Sequence, residues 1–142
     1  MATLGDWAAA GWLVTHEPSR PELDGLLAIV ARDRRDAAVA EISADARLGL
    51  LYNAGLKLAD VALRTSGYRA ARDAHHYRVI AALPLTLGPA FTDDAEMLER
   101  VRVLRNKADY ESVGFATAAD ISEMLGVIER LTSAVTRRMR DR

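Results

Sequence analysis

One stretch of this sequence carries residue types that could do chemistry: Arg102-Val-Leu-Arg105-Asn106-Lys-Ala-Asp109-Tyr110. Spacings of three and four put Arg102, Arg105, Asn106 and Asp109 on one stripe of a helix. Two guanidiniums and an amide beside a buried face can grip a phosphate, because Arg offers a rigid fork of donors and keeps its charge when partly buried. The same spacing also allows a plain surface pair, Arg105 with Asp109, worth only a few tenths of a kcal/mol. Histidine, the side chain best suited to moving protons near neutral pH, occurs only at His16, His75 and His76. Adjacent helical residues point about 100° apart. His75 and His76 therefore do not chelate one metal ion unaided, and they read first as structural or solvent-facing. The chain has no Gly-rich phosphate loop, no His-Glu-x-x-His pair and no nucleophile elbow, so neither metal nor cofactor is expected.

The composition limits what can position these residues. A length of 142 residues fits one domain spanning 1–142. Half of the residues are hydrophobic, which excludes a disordered chain. Only 6% are aromatic, and much of the apolar share is Ala, so a thin core of close-packed helices is expected. The 19 basic and 20 acidic residues give a net charge of -1, which excludes a histone-like surface while allowing a local basic patch. Without Cys there are no disulfides, no thiolate catalysis and no Cys-based zinc site. No apolar run approaches the roughly 18 residues of a membrane span, and no signal peptide opens the chain. A soluble cytoplasmic protein with no membrane partner is the expectation.

The hydrophobic pattern is helical almost throughout, with no strand-like alternation. A short amphipathic helix runs from Leu4 to Val14 with Trp7 and Trp12 as anchors, and a Pro-containing connector follows, so that 1–20 form an N-terminal appendage. Pro21 suits the first turn of the next helix, about Pro21 to Glu41, which buries Leu23, Leu26, Leu27 and Val30 and shows Arg32 to Asp36 to solvent. Ser43 caps a helix from Ala44 to about Ser66. Its small residues Ala54, Gly55, Ala59 and Ala62 mark it as the centre of a bundle, and Gly67 ends it. A fourth helix covers about Arg69 to Leu87, bent or interrupted at Pro84. Thr92-Asp93-Asp94 caps a fifth, running to about Tyr110 with Met97, Val101, Leu104 and Ala108 as its buried stripe. Thr117 caps the last helix, with Ile121, Met124, Leu125, Ile128 and Val135 inward. The expectation is four long helices plus short ones.

Four motifs recur in order along this layout: Tyr52-Asn53-Ala54, Gly67-Tyr68-Arg69, His75-His76, and Arg102-x-x-Arg105-Asn106-x-x-Asp109-Tyr110. Together, over roughly Asp33 to Glu129, they resemble the HEPN superfamily, small all-α domains often encoded beside a minimal nucleotidyltransferase. More narrowly the chain resembles a bacterial branch with an Arg-Asn-x-x-acid-Tyr motif in the penultimate long helix. The resemblance implies an all-α, HEPN-like up-and-down bundle of four to five helices that forms a homodimer through its motif-bearing helices. It implies a component of a toxin–antitoxin or defence module that binds RNA or nucleotide phosphate through Arg102, Arg105, Asn106 and Asp109 and pairs with a nucleotidyltransferase. Active members are metal-independent endoribonucleases in which a His moves protons and an Arg stabilises the phosphorane. By that resemblance Arg105, Asn106 and Tyr110 are the catalytic candidates, with Tyr110 in the His position, where it could donate a proton or hydrogen-bond a phosphate. A free Tyr titrates near 10 and is a poor base at pH 7. Positions 105 and 110 on an unbroken helix also stand about 140° apart. They would meet one ligand only if the helix ends near Lys107 or if they act across a dimer. His75 or His76 is then an accessory source of the imidazole. The family also suggests Tyr110 as an acceptor of AMP. A purely structural helical dimer subunit is the third reading.

Overall fold

Ser19, Ser43 and Thr117 each start a long helix by the same device. Their hydroxyls accept from the amides of Glu22, Ala46 and Asp120, at 3.2, 3.0 and 3.0 Å. At Ser19 and Thr117 the acid three residues on returns a bond to the cap amide, completing a capping box. The helices so opened are α2 (Arg20–Ala37), α3 (Ala44–Thr65) and α7 (Ala118–Arg140). The fourth long helix, α6 (Thr92–Glu111), starts otherwise. A 3₁₀ turn at Pro89–Phe91 leads into it, and the Thr92 hydroxyl donates backward to the Pro89 carbonyl at 2.9 Å. The expected Thr92 cap is thus corrected: Thr92 already has helical dihedrals, φ -61° and ψ -45°, and is the first residue inside the helix.

The computed structural model describes residues 2–72, 75–111 and 114–142, with side chains at all of these except 108–111. They form an all-α bundle of four long helices with short elements packed at one side. α3 is the central helix. It carries the buried Leu48, Leu51, Tyr52, Leu58 and Leu63, and packs against α2 and α7 along its length and against α6 near Gly55. A Cβ on Gly55 would stand 2.6 Å from Leu98 Cδ2 of α6 and 3.3 Å from Ile128 Cδ1 of α7. The missing side chain is what allows three helices to close on one point. Among the described residues no helix is long and apolar enough to cross a membrane.

Several expected boundaries move. The first helix, α1 (Leu4–Ala9), stops short of Val14, because Gly11 turns the chain at φ 85°. Leu13–Thr15 then forms β1, paired antiparallel with β2 (Tyr68–Ala70) in the register Leu13↔Ala70, Val14↔Arg69, Thr15↔Tyr68. The expectation of no strand is corrected by this small sheet; three residues are too few to show a period of two. β2 also takes the start of the expected fourth helix. The remainder divides into α4 (His75–Ala81) and α5 (Leu83–Leu87), with Pro84 in the first turn of α5. α2 ends at Ala37 rather than Glu41. Asp33, expected on its charged outer face, is buried, whereas Leu125, expected inside, is exposed. Ala108 of the expected α6 stripe lies outside the described side chains.

Candidate functional site

The N-terminal half of α6 is fixed by its apolar residues Met97, Leu98 and Val101, which are buried against the bundle. With those inside, Arg102 and Arg105 fall at its margin, over the α3 segment Gly49–Asn53 and beside the start of α4. The two arginines differ in their surroundings. Glu99 holds Arg102 through its Nε, 3.0 Å from each carboxylate oxygen, and through Nη2, 2.5 Å from Oε1. That bond keeps the Arg102 guanidinium even more firmly charged than usual. Arg105 has no carboxylate partner among the described residues. Its guanidinium lies 4.9 Å from the centre of the Tyr52 ring, and its Nε is 3.6 Å from where a Gly49 side chain would begin. Gly49 therefore leaves the room that Arg105 occupies.

Tyr52 is the floor of this site. The side chain is buried, and its hydroxyl has no hydrogen-bond partner among the described residues. Burial pushes the phenol up to about 12, against the opposing pull of the Arg105 and Arg102 charges. The His76 ring stands 6.4 Å from Tyr52, and the His75 ring 5.6 Å from His76. Burial lowers the His76 pKa below its ordinary value, and the positive charges of His75, Lys57, Arg102 and Arg105 lower it further. At neutral pH the imidazole is thus held in its uncharged form amid cations.

Arg105 faces a second surface on its other side. A cleft of about 610 Å³ is lined by Arg105, Gly49, Asn53, Asp33, Asp45 and Phe115, among others. Both of these carboxylates are already engaged. Asp33 accepts from Asn53 Nδ2 at 2.5 Å and from Arg32 Nε at 3.0 Å. Asp45 accepts from the amides of Gly114 and Ala116 at 2.6 and 2.9 Å, fixing the turn before α7.

Of the residues singled out from sequence, the structure brings together Arg102, Arg105, His75 and His76. Asn106 is exposed on α6. The side chains of Asp109 and Tyr110 lie outside the described residues, but α6 is continuous to Glu111, so it does not end near Lys107. His16 lies apart, with Nε2 2.6 Å from Glu22 in a pair that Arg64 joins from α3. Sequence reasoning used Tyr52 only to mark a motif and missed it as the floor. It missed Glu99 as well, although its i,i+3 spacing to Arg102 was a usable signal. Comparison with protein-family models, with curated proteins and with solved structures finds no match to this chain.

Proposed function

We propose that this chain is a HEPN-type module that binds the phosphate of RNA or of a nucleotide through Arg102 and Arg105. In this reading it works in the cytoplasm as a homodimer, paired with a minimal nucleotidyltransferase in a toxin–antitoxin or defence system. The observation that carries the reading is the convergence around Tyr52 of Arg102, Arg105 and His76, with the Lys57 charge acting on His76 and with Arg105 free of any carboxylate among the described residues. A phosphate supplies Arg105 with the negative charge and the acceptor oxygens that Glu99 already gives Arg102. Val103, 51% exposed on the same helix, supplies apolar surface for a second copy. AMP attached at Tyr110 by the partner enzyme would add bulk and negative charge to α6 and oppose RNA.

The test is binding of RNA and of mononucleotides by the wild type and by the Arg102→Ala/Arg105→Ala double variant across a salt series. Affinity should fall, and the slope of log affinity against log salt should flatten by about 0.7 for each phosphate that the variant no longer neutralises on a single strand. Unchanged affinity and slope would refute the reading.

The lowered pKa of His76 favours a second reading, a metal-independent endoribonuclease. A neutral imidazole can take the proton from a 2′-hydroxyl, and Arg105 can stabilise charge on the phosphorane. Cleavage of structured RNA without metal, compared among wild type, His76→Ala and Arg105→Ala, decides it. Equal rates in all three would eliminate the enzyme.

A further inference from the structure

Beside the phosphate cluster runs a row of side chains that phosphate binding alone does not explain. The Arg78 guanidinium of α4 lies 3.5 Å from the centre of the Trp12 ring, close enough to stack on it. It is also 5.6 Å from Trp7, whose ring meets Trp12 edge to face at 5.7 Å. Arg78 also stands 5.2 Å from the Tyr77 ring, and Tyr77 in turn lies 5.9 Å from Arg102. Aromatic rings and guanidiniums thus alternate from Trp12 through Arg78 and Tyr77 to Arg102, and the row enters the phosphate cluster. Two of its rings face solvent: Trp12 is 39% exposed and Tyr77 44%. No carboxylate pairs with Arg78 among the described residues. The β1–β2 pairing brings Trp12 here, since the Trp12 carbonyl accepts from the Ala71 amide at 2.9 Å, just before α4.

We propose that this row binds unpaired bases, so that the ligand of the Arg102/Arg105 cluster is single-stranded RNA, with bases stacked on Tyr77 and Trp12. The inference rests on the phosphate-binding reading above. An exposed ring flanked by guanidiniums suits a base on both counts: the base stacks on the ring while its phosphates meet the cations. In a duplex the bases are stacked on one another and offer no face to Tyr77.

The test uses a single-stranded RNA of about twelve nucleotides and the same strand in a duplex. Trp7 and Trp12 are the only tryptophans, so a Trp7→Phe variant makes emission a report of Trp12 alone. Single strand should quench that emission; duplex should not. Tyr77→Ala should weaken single-strand binding roughly ten-fold, leaving duplex binding and the salt slope as they were. Tyr77→Phe, which keeps the ring, should bind as the wild type does. Wild-type single-strand affinity in Tyr77→Ala, or unquenched Trp12 at saturation, overturns the stacking row while Arg-dependent RNA binding stands. No binding of either RNA overturns both.

Discussion

Glu99 is the residue that sets Arg102 apart from Arg105. It occupies one edge of the Arg102 guanidinium, the Nε and Nη2 donors, so in the proposed reading a phosphate competes there with a carboxylate already in place. Glu99→Gln should therefore tighten RNA binding several-fold and steepen its salt dependence, and Arg105→Ala should cost more affinity than Arg102→Ala. Filter or anisotropy titrations at several salt concentrations measure both. Glu22 gives the acid-sensitive contribution to stability. Burial pushes its carboxyl up, but Arg64, His16 and the Ser19 amide together outweigh burial and hold it at about 2, down from 4.5. An acid depressed in this way stabilises the fold above its unfolded pKa and loses that contribution as pH falls through its folded one. The stability gap between wild type and Glu22→Gln should narrow between about pH 4.5 and about pH 2, as denaturant melts at stepped pH would report. The arginine stripe was legible because Arg102 and Arg105 keep helical spacing beside an apolar face. Tyr52 was not, since a Tyr in an apolar helix reads as core, and its contact with Arg105 spans two helices remote in sequence. Asp33 misled for a related reason: beside Arg32 its partner is Asn53, which lies on another helix, and the two together satisfy a carboxylate that is buried.

At the scale of elements, the long helices were legible and the short ones were not. Ser43 and Thr117 announce α3 and α7 through their caps, and long apolar periods carry α3 and α7 to their ends. Between Gly67 and Gly88 each element lasts seven residues or fewer, too short for a period to emerge, so β2, α4 and α5 merge into one helix when read from the sequence. β1 was hidden because its three residues are too few to show alternation, so Leu13 and Val14 were absorbed into the helix read from Leu4. The packing of α3 was legible in outline, since small residues on a helix mark close approach. Gly55 tests it: Gly55→Val puts a branched side chain where Leu98 and Ile128 already meet, and should cost about 2 kcal/mol or more. Thermal or denaturant unfolding should show the loss, and wild-type stability would mean that α6 and α7 do not converge there.

Across the whole molecule, Arg138 joins elements that the chain leaves far apart. From α7 it donates to the Ser66 hydroxyl at 2.7 Å and the Ala62 carbonyl at 3.5 Å, at the end of α3, and to the Thr86 carbonyl of α5. Helix C-termini leave carbonyls unsatisfied and carry partial negative charge, so one guanidinium serves two helix ends. Arg138→Met keeps most of the aliphatic bulk and removes the donors; it should destabilise the fold by about 1–3 kcal/mol in denaturant melts and leave RNA affinity untouched. The sheet between β1 and β2 acts over a similar range but closes a loop on the order of fifty residues with only three residue pairs. The α2–α3 packing inside that loop involves neighbouring elements and can form without it. Closure of the N-terminal segment is therefore a late event in folding and an early one in opening. Although Leu13 is buried, backbone amides of Leu13–Thr15 should on that order exchange with solvent sooner than those of α3. The molecule then has two thresholds of disassembly, and the aromatic row is lost at the lower one.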